Sequence, residues 1–410
     1  MVIVCLKFAE VASRAAFVVL TSYMLTLSEA GQFGLVVTFQ GLASFAFGYE
    51  RHTDIQRRMV GQDPALFDQA VTQALLLFSV NYLLVAPFFI AALVFAVNMP
   101  APLIILCLII AIAEQLMNQA YLMSMVNRRY LPLLVVAVGK NIAIVVAVFL
   151  PVLLTGDGVE LNRVLSIWAI GSCVAVGLCT GLWLRLRLTE SELPQIRIST
   201  VLGRQYRASW NHFLLGLTAI LTLQADRLIT GAVLSLDQVG IFFRHVLLVS
   251  MIYQVFNIAF YNRVLPKVFE LARTETVPSL RRIVTREFIR VLAFVALVAA
   301  VGSVFNIITG GQFIERFSLV PMFFIGLLLV SSIRMRADFN ALIFNALHRE
   351  RTIFHLQLIS FVFSIPLMLG LTFLYGIPGT IAAGFCSAFL YFVLTTAALR
   401  RLPDKASYAR

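Results

Sequence analysis

Apolar runs long enough to cross a bilayer follow one another along almost the whole of this 410-residue sequence. Hydrophobic residues make up 60% of the chain and charged residues 13%, whereas an ordinary soluble domain is about 25% charged. Because a spanning helix needs about 20 apolar residues, the sequence predicts an all-α integral membrane protein with about twelve spans. Their approximate bounds are 6–27, 33–49, 70–97, 103–126, 131–154, 162–184, 210–235, 239–262, 288–308, 317–344, 352–375 and 377–399.

The net charge of +12 is distributed unevenly between the two sides of these predicted spans. When successive loops are assigned to alternate sides, nearly all the loop arginines and lysines fall on one side, and only Arg163 and Arg316 fall on the other. Cytoplasmic loops carry such an excess, so both termini and every long loop are predicted to be cytoplasmic. This bias accounts for the basic composition, and a nucleic-acid partner is therefore not expected.

The longest predicted loop lies near the middle of the chain and separates two sets of six spans. Gln32-Phe33-Gly34, placed in the turn after the first span, has a counterpart in Gln238-Val239-Gly240 after the seventh. Two repeated halves around a central cavity are typical of transporters. We expect an N-terminal six-helix half over 1–184, a basic cytoplasmic linker over 185–208, a C-terminal six-helix half over 209–399 and a basic cytoplasmic tail over 400–410.

Ionisable residues occur inside several predicted spans, where they are expensive and usually functional. The seventh span holds Asp226 and Arg227 side by side, and consecutive residues point about 100° apart on a helix. Basic candidates outnumber acidic ones, which suggests a cavity able to hold an anion. The basic candidates are Arg14, Lys140, Arg227, Arg244, Arg334 and Arg336, and the acidic candidates are Glu10, Glu114, Asp226 and Asp338.

Each of these charges also has a structural interpretation. Basic residues near the end of a span can extend to the lipid headgroups. Glu114 lies beside Gln115, and such polar groups can hydrogen bond between helices. Arg334 and Asp338 stand at i and i+4 and can neutralise each other along one helix face. The sequence alone leaves open which of the candidates line a cavity.

Sequence motifs of the main alternatives to a transporter are missing. The sequence has no Walker A motif, so direct use of ATP is not expected. Its five cysteines form no CxxC pair and its five histidines show no metal-ligand spacing, so neither a metal nor another cofactor is predicted. The predicted outer loops are too short to hold an acceptor as a membrane polymerase would. We therefore expect a transporter and not an enzyme.

The stretch ADRLITGAVLSLDQVGIFF, residues 225–243, resembles the start of the second half of polysaccharide flippases of the multidrug/oligosaccharidyl-lipid/polysaccharide exporter superfamily. Asp226, Arg227, Gly231 and Gly240 match the family pattern, although Ile241-Phe242-Phe243 stands where the family often has a tyrosine. The segment LTLSEAGQFGLVV is similar to the family's Leu-Ser-(variable)-Phe/Tyr-Gly segment after its first helix. The number of spans and the two halves extend the resemblance over the whole chain.

The resemblance implies a flippase in a bacterial cytoplasmic membrane. It would turn an oligosaccharide unit on undecaprenyl diphosphate from the inner to the outer leaflet for O-antigen, capsule or exopolysaccharide synthesis. The basic candidates would bind the diphosphate, and the acidic candidates would couple an ion gradient or act as structural partners. The expected partners are the lipid-linked oligosaccharide and membrane lipids, and further candidate partners are a polysaccharide polymerase and a chain-length regulator.

Other functions remain open from the sequence. A cation-coupled multidrug or small-molecule antiporter of the same superfamily would favour an acidic cavity, which the basic excess argues against. A membrane-embedded glycan polymerase would need a large outer loop with catalytic residues. The peptidoglycan-precursor flippases are a neighbouring branch, but their chains usually have two spans more than the twelve predicted here.

Overall fold

The computed structural model describes residues 2–52, 55–56, 64–124, 131–155, 158–187, 198–256, 260–272, 276–308 and 319–402, and within these ranges it contains helices and no strand. We number the helices α1 to α13 in chain order. They are α1 Val2–Met24, α2 Leu27–Gly48, α3 Pro64–Val97, α4 Ala101–Ser124, α5 Leu131–Thr155, α6 Leu161–Arg187, α7 Ile198–Val233, α8 Leu236–Phe256, α9 Asn262–Leu271, α10 Val277–Ile308, α11 Pro321–Ala346, α12 Glu350–Tyr375 and α13 Ile377–Arg400.

Every helix except the short α9 overlaps one of the predicted spans. Nine helices of the described residues are long and apolar enough to cross a membrane, which confirms a multi-pass membrane protein. Besides the short α9, the helices α1, α10 and α11 are not among the nine. In α1 and α11 every stretch of 18 residues contains three charged side chains. These are Lys7, Glu10 and Arg14 in α1, and Arg334, Arg336 and Asp338 in α11. The charged residues that keep α1 and α11 out of these nine helices are therefore mostly the predicted site residues.

The chain divides into two compact units, Met1–Ile220 and Leu221–Arg410. In the first unit, α4 packs against α2, α3, α5 and α6, and α1 packs against α2 and α5. In the second unit, α11 packs against α8, α9, α10, α12 and α13, and α12 lies along α13. The helix α7 begins at Ile198, within the predicted linker, and belongs to both units. The predicted domain limits stay predictions.

A capping box fixes the start of α2. Thr26 Oγ1 accepts a hydrogen bond from the Glu29 N–H at 3.3 Å, and the Glu29 carboxylate accepts one from the Thr26 N–H at 3.2 Å. This reciprocal arrangement satisfies two backbone donors at the helix end. Because α2 therefore begins at Leu27, Gln32-Phe33-Gly34 lies inside the helix. The prediction that this segment forms the turn is wrong, and so is the prediction of a turn at Gln238-Val239-Gly240, which lies inside α8.

Aligning the two halves on this helix start changes which residues of the internal repeat correspond. The Thr26 carbonyl accepts the first helical hydrogen bond of α2 from Ala30 at 2.8 Å, and the Ser235 carbonyl accepts that of α8 from Val239 at 2.9 Å. Aligned on these two residues, TLSEAGQF at 26–33 matches SLDQVGIF at 235–242. Gly31, and not Gly34, thus corresponds to Gly240. Both halves begin their second long helix with the Ser/Thr-x-x-Glu/Gln pattern.

Two glycines allow α12 and α13 to meet in a tight hairpin. Gly376, between the helices, has φ +64° and ψ −139°, a conformation that side chains rarely tolerate. At Gly379 an added Cβ would lie 1.9 Å from the carbonyl oxygen of Leu371 in α12. Next to it, the hydroxyls of Thr372 and Thr380 are hydrogen bonded at 2.9 Å. The close approach of the two backbones thus depends on the missing Cβ.

Gly379→Ala is expected to destabilise the protein by about 1–3 kcal/mol, because the new methyl group would meet backbone that cannot rotate away. Gly370→Ala is the matched control, since a Cβ at Gly370 would meet nothing within 4 Å. It is expected to stabilise α12 by about 0.5–1 kcal/mol. Thermal unfolding of both variants in one detergent measures the difference, and equal melting temperatures would contradict the close approach.

Candidate functional site

The best-connected polar group of the first unit is the carboxylate of Glu114 on α4. Its Oε1 lies 2.5 Å from Nζ of Lys140 on α5, and it accepts hydrogen bonds at 2.8 Å from both Trp168 Nε1 and Ser172 Oγ on α6. The side chains of Glu114 and Lys140 are 11% and 5% exposed. One carboxylate oxygen therefore ties three helices together. The sequence left Lys140 open between two interpretations, and the structure makes it the counter-charge of Glu114.

Trp168 and Ser172 were not identified from the sequence. They stand at i and i+4 on α6, so both lie on one face of that helix. That spacing was a usable signal, but the acid that they contact is on another helix, 54 and 58 residues earlier in the chain. Their role follows only from the packing of α4 against α6.

A small cavity of about 30 Å³, with a mostly apolar lining, lies beside Glu114. A space of this size holds one or two water molecules. Its polar lining consists of Arg14, Gln40, Glu114, Asn141 and Trp168. Within the described residues, Arg14 makes no hydrogen bond and no ion pair. The guanidinium of Arg14 thus has no bonded partner there, although its positive charge acts on Glu114 across the cavity.

Glu10, one turn before Arg14, already has a partner. Its carboxylate lies 2.6 Å from Nζ of Lys7, and the Lys7 ammonium is also 4.6 Å from the centre of the Tyr121 ring. The Glu10 carbonyl accepts a hydrogen bond from Asn141 Nδ2 at 3.3 Å. These contacts join α1 to α4 and α5, so the geometry favours a structural role for Glu10.

In the second unit, neutral side chains hold Arg227 of α7. Its Nη1 donates to Gln224 Oε1 at 2.9 Å, its Nη2 donates to Ser250 Oγ on α8 at 3.1 Å, and its buried Nε has no hydrogen-bond partner. The neighbouring Asp226 accepts a hydrogen bond from the Arg227 backbone N–H at 2.8 Å. Neither side chain forms an ion pair with any described residue, in agreement with their different directions on the helix.

Arg334 and Asp338 form the pair that their spacing predicts. Nε of Arg334 lies 3.3 Å from Oδ1 of Asp338, although the alignment is that of an ion pair and not of a hydrogen bond. Tyr253 of α8 donates to the other oxygen, Oδ2. The Arg334 guanidinium also lies 4.5 Å from the centre of the Tyr391 ring on α13. With Arg334 only 8% exposed, this charge is neutralised inside the unit.

The remaining basic candidates differ in their surroundings. Nη1 of Arg336 donates to Asn340 Oδ1 at 2.8 Å, and its Nη2 donates to Thr285 Oγ1 on α10 at 3.1 Å. Arg244 of α8 is 6% exposed and has interaction partners, so it does not extend to the surface. The adjacent His245 is fully buried: its Nδ1 donates to the Ile241 carbonyl at 2.7 Å, and its Nε2 accepts from the Val320 N–H at 2.7 Å.

The fold is similar to that of solved membrane transporters. Lipid II flippase MurJ in the inward closed conformation matches with a TM-score of 0.75 at 13% identity, over 99% of this chain and 89% of that one. The inward-facing conformation of a multidrug resistance MATE family transporter of the MOP superfamily matches with 0.70 at 13% identity, over 95% and 94%. The eukaryotic MATE transporter AtDTX14 matches with 0.62 at 14% identity, over 97% and 96%.

Sequence comparison adds no closer relative. No protein-family model matches the chain, and no curated protein matches it. At identities of 13–14% the structural similarity concerns the fold alone. The chain thus has the fold of the MATE transporters and of the flippase MurJ, in agreement with the predicted all-α membrane architecture. The polysaccharide-flippase branch, the site residues and the orientation of the termini stay predictions.

Lys140→Met is expected to lower the free energy of unfolding by about 3–5 kcal/mol, because it leaves the Glu114 carboxylate buried without a counter-charge. The double variant Glu114→Gln/Lys140→Met should recover most of this loss, since neither charge remains. Arg14→Gln is the matched control: it removes a positive charge that acts on Glu114 without forming an ion pair, so it should cost only about 1 kcal/mol. Unfolding by denaturant measures all three; a double variant as unstable as the single one would contradict the pairing.

Proposed function

We propose that the protein is a flippase for an anionic lipid-linked oligosaccharide. The substrate is an oligosaccharide unit on undecaprenyl diphosphate, carried from the inner to the outer leaflet of a bacterial cytoplasmic membrane for O-antigen, capsule or exopolysaccharide synthesis. One observation carries this proposal: each unit keeps arginines on long helices without a carboxylate in ion-pair range among the described residues. They are Arg14 in the first unit, and Arg227 and Arg336 in the second.

The physics of the substrate fits this arrangement. A diphosphate cannot cross about 30 Å of hydrocarbon unaided, so a protein that moves it must replace its hydration with positive charge and hydrogen-bond donors. A guanidinium does both, because it binds phosphate oxygens through two parallel donors. An arginine without a carboxylate partner also gains more from an anionic ligand than a neutralised arginine does. Arg14 and Arg227 are therefore the first choice as substrate-binding residues.

The rest of the proposal follows from the positive-inside bias and from the transport function. Both termini are placed in the cytoplasm, and the lipid tail of the substrate stays in the bilayer while access alternates between the two sides. The protein is proposed to act as a transporter, not as an enzyme, and to work without a cofactor. A polysaccharide polymerase and a chain-length regulator are its proposed neighbours in the same membrane.

Arg14→Gln and Arg227→Gln are each expected to lower surface polysaccharide about tenfold or more, because each removes a charge-assisted contact to the diphosphate. Arg290→Gln is the matched control: it removes a charge of the same kind, but one that is exposed and paired with Glu287 at 2.5 Å. Surface polysaccharide is measured in a deletion strain at matched expression, together with lipid-linked repeat units on the cytoplasmic side. Unchanged polymer in both the Arg14 and the Arg227 variant would refute the assignment of these two arginines.

A cation-coupled antiporter is the second candidate function, and Asp226 is the observation that favours it. The other three acidic candidates lie beside Lys7, Lys140 and Arg334. Asp226 has no basic side chain in ion-pair range among the described residues. An acid left without a counter-charge inside a membrane is suited to bind and release a proton or cation. One of the transporters of similar fold belongs to the multidrug resistance MATE family.

Proteoliposomes separate the two functions. An antiporter is expected to exchange ethidium for protons or sodium ions when a pH or sodium gradient is imposed. Asp226→Asn should abolish this exchange. Asp237→Asn, at the exposed start of α8, should retain it. For the flippase that we propose, the unaltered protein should move no ethidium under either gradient. Ethidium transport that depends on Asp226 would establish the antiporter in its place.

A further inference from the structure

One face of α10 and one face of α11 bring two arginines together in the second unit. Arg281, Thr285 and Phe288 stand at i, i+4 and i+7 of α10, so they share a face of that helix. This face meets Arg336 of α11: Thr285 Oγ1 accepts from its Nη2 at 3.1 Å, and the Phe288 ring centre lies 5.6 Å from its guanidinium carbon. Arg281 is close enough for the two positive charges to repel each other.

The acidic residues of α10 and α11 are paired with basic residues other than Arg281 and Arg336. Glu287 pairs with Arg290 at 2.5 Å, and Asp338 pairs with Arg334 at 3.3 Å. In the part of the chain that the structure describes, Arg281 forms no ion pair and no hydrogen bond, and Arg336 bonds only to neutral groups. Like charges held together without a carboxylate are unfavourable by themselves, and an anion between them would remove this cost.

The guanidinium of Arg336 is held in place before any ligand arrives. Asn340, whose Oδ1 accepts from Nη1 of Arg336, donates its own Nδ2 to Thr396 Oγ1 on α13 at 3.0 Å. Together with Thr285 on α10, this network fixes the guanidinium from three helices. Such positioning reduces the loss of side-chain freedom on binding. Arg281 has no such restraint and can adjust to the ligand.

The position in the sequence places this pair at the cytoplasmic side. Arg281 is followed by Arg282, Arg286 and Arg290 in the first half of α10, and such a basic flank of a spanning helix is typical of the cytoplasmic face. Helix α10 begins at Val277, so the positive end of its dipole adds to the potential near Arg281. A negatively charged headgroup in the inner leaflet would meet this region first.

We propose that Arg281 and Arg336 bind the diphosphate of a lipid-linked substrate at the cytoplasmic end of the second unit. This inference rests on the proposed flippase function and adds a loading site to the contacts made by Arg14 and Arg227. Two guanidiniums, one fixed and one adjustable, suit a ligand with two phosphate groups, because each can bind a separate set of oxygens. A phosphodiester lipid carries a single phosphate and would occupy only one of them.

The test measures binding to the purified full-length protein in neutral nanodiscs, with farnesyl diphosphate, inorganic diphosphate and phosphatidylglycerol vesicles as probes. Arg281→Gln and Arg336→Gln are expected to weaken farnesyl diphosphate binding about 10- to 100-fold each. Arg282→Gln, the neighbouring exposed arginine, removes the same charge from another face of α10 and should change binding less than about twofold. Arg281 takes no part in the α10–α11–α13 network, so its variant tests the site without disturbing the fold.

The outcomes separate this site from the proposed function. If farnesyl diphosphate binds equally well to Arg281→Gln, Arg336→Gln and Arg282→Gln, the loading site is refuted while the flippase function stands. If inorganic diphosphate binding is lost in Arg281→Gln but the prenyl chain brings no added affinity, the anion site stands and the lipid-linked substrate is refuted. A stronger effect of Arg281→Gln on phosphatidylglycerol vesicles than on farnesyl diphosphate would assign the pair to bulk lipid and overturn the inference.

Discussion

The cost of placing charge in hydrocarbon is the constraint on which this structure depends. Each charged side chain inside a span costs several kcal/mol unless the protein or a ligand compensates it, and the chain carries ten candidates of this kind. The contacts of the basic candidates divide most of these residues into three groups. Lys140 and Arg334 lie beside carboxylates, Arg227 and Arg336 are held by neutral amides and hydroxyls, and Arg14 lines a small cavity without a bonded partner.

The compensation of buried charges also explains how the helices within each unit are joined. The Glu114 carboxylate gathers donors from α5 and α6, and Asp338 gathers Arg334 from its own helix and Tyr253 from α8. Between membrane helices the hydrophobic effect contributes little, so packing and polar contacts of this kind determine which helices associate. Glu114 and Asp338 are thus each neutralised by a basic side chain of their own unit, and these acids are less suited to binding a cation than their charge alone suggests.

The sequence predicted the helices well and the site only in part, for physical reasons. In the part of the chain that the structure describes, each of the twelve long helices overlaps a span located by hydropathy, because length and apolar composition are local properties. The pair Arg334–Asp338 was also predictable, since both residues lie on one helix face. The partner of Lys140 was not, because Glu114 lies 26 residues away on another helix. The start of α2 was placed six residues late, because its capping box makes polar residues helical where hydropathy indicates a turn.

The kind of cation that is left without a carboxylate is itself informative. The lysines of the candidate helices, Lys7 and Lys140, each lie within 2.6 Å of a glutamate. The basic side chains without a carboxylate in the described residues are arginines: Arg14, Arg227 and Arg336. A guanidinium loses less than an ammonium on leaving water and presents paired donors that match the oxygens of a phosphate. A cavity evolved for cations would gain nothing from such residues, whereas one that moves a diphosphate uses both properties. Because 28 of the 32 basic residues of the chain are arginines, the preference for arginine extends beyond the spans. The feature that singles out Arg14, Arg227 and Arg336 for a phosphate in the proposed flippase is a guanidinium without a carboxylate in ion-pair range.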